Sequence, residues 1–131
     1  MLLLSKAFKK IKERGIDMNN SLILKLEIEI NKDILESNGY NFTNSVQIIC
    51  DGLQQAGLVK ELVEEGHIIY RGTGSNKDLA YIGLVYSNLI KQQWFKDCCK
   101  KMDLWKEDKS NPDSLQYCGS AIETAKKSGK W

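Results

Sequence analysis

The chain has 131 residues, 42% hydrophobic and 27% charged, with one proline, ten glycines and one histidine. That length suits a single domain burying roughly two thirds of its unfolded surface, and the composition excludes disordered, collagen-like and low-complexity classes. Lys plus Arg is 19 and Asp plus Glu is 17, so the net charge of +2 is too close to neutral to name a partner.

Residues 2–14 read as a helix, with Leu4, Phe8 and Ile11 on one face and Leu3 and Ala7 beside them, ending at Gly15. Residues 22–30 change period. Leu22, Leu24, Leu26, Ile28 and Ile30 alternate with Ile23, Lys25, Glu27 and Glu29, which predicts a strand with one buried and one wet face. Asn31 fits an N-cap for a short helix over 32–38 that stops at Gly39. Asn41 to Asn44 form a second cap region. From there Val46, Ile49, Leu53 and Ala56 step by three or four, a helix face that ends at Gly57.

Leu58, Val59, Leu62 and Val63 fit either a further helical turn or a strand. The turn signal Glu64-Glu65-Gly66 and the strand formers of His67-Ile68-Ile69-Tyr70 favour a β-hairpin of 58–63 with 67–71. After a loop at Gly72-Thr73-Gly74-Ser75, a long helix is expected over 77–103. Its stripe is Leu79, Ile82, Tyr86, Leu89, Ile90 and Trp94, continued by Phe95, Cys98 and Met102. Asp103 to Asn111 is polar linker. Pro112 suits the first position of a last helix with Leu115, Cys118, Ile122 and Ala125 on its core face.

The stretch NKDILESNGYNFTNSVQIICDGLQQAGLVKELVEEGHIIYRGTG carries a resemblance. With the elements before it, the order is helix, strand, short helix, turn, helix, strand, wing, strand, which resembles the winged helix-turn-helix superfamily over about half the chain. The expected fold is α+β and mostly helical. A winged-helix-like core with a small antiparallel sheet (1–74) would carry a C-terminal helical extension (75–131) in one domain. In such a fold the second helix of the motif, here about 43–56, would enter the major groove. Its outward residues would be Thr43, Asn44, Gln47, Asp51, Gln54 and Gln55, and the amides of Asn44 and Gln47 suit adenine edges.

Charge opposes a simple DNA reader. Residues 1–20 hold five basic and two acidic residues, 21–76 hold four and eight, and 77–131 hold ten and seven, so the expected reading domain is the acidic part. Phosphate contacts supply most non-specific affinity, and the reading helix has no Lys or Arg. Backbone contacts are therefore expected from Lys6, Lys9, Lys10, Lys12 and Arg14 and from the C-terminal lysines, Lys100 and Lys101 among them. Trp94, Phe95 and Trp105 lie among those lysines, where aromatic rings can stack on bases.

No motif for chemistry stands out. Gly72-Thr73-Gly74-Ser75 precedes a helix, as phosphate-cradling loops do, but it is neither GxGxxG nor a Walker loop, and a hairpin exit explains it. His67 has no serine or cysteine nucleophile placed beside it and reads as a sheet histidine. Cys50, Cys98, Cys99 and Cys118 form no CxxC pair, so buried thiols are expected rather than a metal site, and no cofactor is expected.

Met1-Leu2-Leu3-Leu4 precedes its lysines, the wrong order for a secretory leader, and no run reaches the roughly 18 apolar residues of a membrane span. A cytoplasmic, non-enzymatic protein without membrane contact is expected. Two functions fit. One is a nucleic-acid-associated or transcription-regulatory protein. The other is a protein-binding module, such as an immunity protein, a phage-encoded inhibitor or a small subunit, whose acidic centre suits a basic partner. The 77–103 helix offers a homodimer interface under either.

Overall fold

The computed structural model describes residues 22–131. The expected first helix lies outside the described residues, as do Lys6, Lys9, Lys10, Lys12 and Arg14.

Alternation makes β1 (Leu22–Ile30) the central strand, and Asn31 turns the chain directly into α1 (Lys32–Ser37), its side chain accepting from the Ile34 amide at 3.1 Å. Asn41 does the same for α2 (Phe42–Gln55), accepting from the Asn44 amide at 2.9 Å. At the end of α2 the Gly57 amide reaches Gln54 O at 2.9 Å and the Leu58 amide reaches Leu53 O at 3.1 Å. That Schellman geometry needs a left-handed residue, and Gly57 supplies it at φ +84°.

β2 (Val59–Glu64) and β3 (His67–Arg71) form the expected hairpin, with Glu65 and Gly66 both at positive φ in the turn. The Ile30 amide donates to Gly66 O at 3.0 Å, pinning that turn to the end of β1. Five of the expected elements between residues 22 and 71 therefore form where the pattern places them.

The second half departs from expectation. The helix over 77–103 is not one helix. α3 (Asp78–Leu89) stops, α4 (Gln93–Cys98) follows, and β4 (Cys99–Asp108) leaves it directly. No glycine or proline marks the break at 90–92; there the Gln92 amide closes on Leu89 O at 3.0 Å. The expected last helix is also mostly strand, β5 (Asn111–Ser120), with only α5 (Ala121–Lys127) helical. Pro112 thus stands near the start of an edge strand, where a missing amide hydrogen is tolerated.

The mostly helical fold with a helical extension is therefore overturned. The sheet has five strands in the order β2-β3-β1-β4-β5, every neighbouring pair antiparallel, and the described residues are 41% helix and 36% strand. The reason is β1 itself: its second edge needs a partner, and β4 pairs with it over almost its whole length, Leu22 opposite Asp108 and Glu29 opposite Lys101.

One core holds this together. Leu24, Leu26, Ile28 and Ile30 of β1 cluster with Leu35, Ile49, Leu53, Ile82, Phe95, Met102 and Ile122. All five helices thus contribute to the core on one sheet face. The other face carries Lys25, Glu27, Glu29, His67, Lys101, Asp103 and Trp105, at odd positions along their strands. It is not the wet face expected: Glu27 is only 9% exposed and Ile23 is buried as well. Among the described residues, no helix is long and apolar enough to cross a membrane.

Candidate functional site

Two surfaces collect side chains that can do something. The first is the polar sheet face, organised around Glu27. Its Oε2 lies 2.5 Å from His67 Nε2, and its Oε1 accepts from Trp105 Nε1 at 3.1 Å, with Lys101 Nζ 3.9 Å away. Burial would raise the Glu27 carboxyl, but the hydrogen bonds of His67 and Trp105 and the charge of Lys101 outweigh it and hold it below the usual carboxylate range. Glu27 is therefore ionised and can only accept, so His67 Nε2 carries the proton between them.

Lys25 on the same face is neutralised in the same way. Lys25 reaches Glu61 at 2.8 Å and Glu107 at 3.1 Å. Burial works to lower its amine, and the two carboxylates win and raise it. Trp105 meets Tyr117 edge-on, centroids 5.1 Å apart, while burial pushes the Asp103 carboxyl up. The arrangement resembles a stacking platform in having rings and cations on a sheet. Lys25 and Lys101, however, face carboxylates of other strands, Glu61 and Glu107 for the first and Glu27 for the second, while Arg71, opposite Lys25 on β3, makes no ion pair among the described residues.

The second surface is a groove between α2 and α3. It has about 540 Å³ of free volume, within the range of pockets that hold ligands, about 300–1,000 Å³. Its walls are apolar, Ile48 and Ile49 from α2 and Tyr81, Leu84 and Val85 from α3, with Trp94 at one end and Gln55, Asn88 and Gln92 as the polar groups. No lining residue is charged.

No protein-family model and no curated protein sequence matches this chain.

The sequence-predicted residues do not converge. Asn44 and Gln47 are exposed on α2, yet Gln47 Nε2 donates to Asp51 at 2.7 Å, so its amide is already engaged. Lys101 lies across the sheet from α2, on the Glu27 face. Lys100 is exposed at the irregularity in register between β1 and β4. The loop amides of Thr73, Gly74 and Ser75 do cradle an anion, but it is the chain's own: Asp78 Oδ2 accepts from them at 2.9, 3.0 and 3.1 Å. Burial pushes the Cys98 and Cys99 thiols up to about 11 and about 12, so both stay protonated at neutral pH.

Sequence reasoning missed Ile48 and Leu84. Both fall off the three-and-four stripes that define the core faces of their helices. The signal that finds Leu84 is LAYIGLVYSNL, residues 79–89, a helical run without a single charge; no comparable run marks Ile48.

Proposed function

We propose that this chain is a small, non-enzymatic protein-interaction module that works through the face formed by α2 and α3. The observation that carries this reading is the uncharged groove with Ile48 and Leu84 exposed on its walls. Contiguous apolar surface flanked by polar groups marks contact sites, and interface centres are depleted in charge and enriched in aromatic residues. Tyr81 and Trp94 fit that composition. Two carboxylates of the acidic centre are already engaged on the polar sheet face, Glu61 with Lys25 and Glu27 with His67 and Trp105. The thiols of Cys50, Cys98 and Cys99, none of them in a disulfide, suit a reducing, cytoplasmic setting.

The nucleic-acid reading has less support. α2 carries no Lys or Arg, and Lys101 is on the opposite side of the sheet from Asn44 and Gln47. The test is affinity purification from the cells that make the protein, with and without nuclease, on the wild type and Ile48→Glu. A protein complex that survives nuclease and is lost in Ile48→Glu supports the module. Recovery of nucleic acid, undiminished in Ile48→Glu, contradicts it.

A further inference from the structure

The polar sheet face is covered more closely than the described helices account for. All five pack on the other face, yet here Ile23 is 3% exposed and the Lys25 side chain 14%. The two are neighbours on β1, Ile23 opposite Glu107 and Lys25 between Arg71 and Trp105. Neighbours within a sheet shield the flanks of a side chain; its outward end stays open unless another layer packs on it. The C-terminal end does not supply that layer, because Trp131 sits against Phe95 of the core on the opposite side.

The chemistry of the face says what it takes. It carries the carboxylates of Glu27, Glu29, Asp103 and Glu107, with Glu61 reaching in from β2, against the cations of Lys25, Arg71 and Lys101 and the ring of His67. It is therefore net acidic, and Glu29 and Asp103 make no ion pair among the described residues. Among these charges lie Ile23, Ile69 and Trp105. The segment that leads into Leu22 has the complementary make-up. Residues 1–20 hold five basic and two acidic residues, and Leu4, Phe8 and Ile11 form one stripe, flanked at helical spacing by Lys12 and Arg14.

We propose that residues 2–14 of the same chain dock on the polar sheet face, with Leu4, Phe8 and Ile11 over Ile23, Ile69 and Trp105, and Lys12 and Arg14 against the carboxylates. The lengths agree. As a helix, residues 2–14 span about 20 Å, against about 30 Å for the nine residues of β1. Residues 15–21 reach about 23 Å when extended, enough to turn back over the strand they lead into. Two observations choose this occupant over a separate basic protein. Ile23 is covered in the single chain, and a segment tethered at the rim of its site acts at an effective concentration on the order of millimolar. Docking engages the basic residues of this segment inside the chain, away from any nucleic-acid backbone.

Carbodiimide joins a lysine amine to a carboxylate in direct contact, and on the full chain it tests this, with the links located by mass spectrometry. A mixture of isotope-labelled and unlabelled chains separates links within a chain from links between chains. Lys12 should join Glu29, Asp103 or Glu107 of its own chain. Lys32 and Glu36, both exposed and 3.9 Å apart, are the control pair that links in the same sample. Phe8→Glu, which puts a charge into the apolar contact, should lose the Lys12 links and keep the control. Three wild-type results overturn the proposal: Lys12 unlinked beside a linked control, Lys12 linked only between chains, or Lys12 linked as readily to Asp51 and Asp97 on the helices as to the sheet face. Lys12 links that persist undiminished in a folded Phe8→Glu overturn it as well.

Discussion

Gly72 and Asp78 share one space: a Cβ on residue 72 would stand 2.4 Å from Asp78 Oδ2. The buried carboxylate sits there to collect the amides of Thr73, Gly74 and Ser75, closing the chain between the last residue of β3 and the first turn of α3. Removing it leaves three amides without their acceptor. Asp78→Ala should cost on the order of 3 kcal/mol of stability, and Gly72→Ala about 1–3 kcal/mol through the clash. Urea denaturation measures both; a loss below about 0.5 kcal/mol for Asp78→Ala would mean that the loop is held by something else.

Glu27 makes stability depend on pH. Its carboxyl lies below the ordinary value of 4.5 in the folded chain, because His67, Trp105 and Lys101 together outweigh the effect of burial. A group depressed on folding contributes fully above its unfolded value, and the contribution fades as pH falls through the folded value. Wild-type stability should therefore decline from about pH 4.5 downward more steeply than that of Glu27→Gln, which cannot titrate there. Unfolding midpoints from neutral pH down to pH 3 give the two slopes, and parallel slopes would contradict the assignment.

The adjacent thiols of Cys98 and Cys99 should be inert. With burial raising them to about 11 and about 12, neither offers a thiolate at neutral pH. Iodoacetamide at pH 7 should label neither in the folded protein and both in denaturant, as read by mass spectrometry. Rapid labelling of either in the native chain would show that burial does not hold its thiol protonated.

Core packing around β1 sets a further expectation. Leu53 is fully buried and belongs to the cluster with Leu24 and Ile28. Leu53→Ala should cost about 2–5 kcal/mol, the range for a buried leucine that leaves a cavity, whereas Ile48→Ala five residues earlier should stay within about 0.5 kcal/mol in the isolated chain. Equal losses at the two positions would show that Ile48 is covered by its own chain.

Why the first half was legible and the second was not comes down to the range of the interactions. From 22 to 71, alternation in β1, the caps Asn31 and Asn41 and the left-handed Gly57 are local signals, and each acts where it stands. From 93 to 120 the deciding interaction is the long pairing of β4 with β1, about eighty residues away in sequence. Trp94, Cys98 and Met102 fit a helical stripe as well as they fit α4 followed by an alternating strand in which Met102 and Leu104 turn inward. The groove was illegible for the same reason. Ile48 and Leu84 look like stray apolar residues until two helices 36 positions apart place them in one hollow.

The central claim is that protein meets this chain on the α2–α3 face, and site-specific photo-crosslinking in the cell tests it most directly. A photoreactive amino acid at position 84 should yield a discrete protein adduct, and the same residue at position 115, exposed to a similar degree on β5, should yield little. An adduct from position 84 that is no stronger than the one from position 115 would contradict the account.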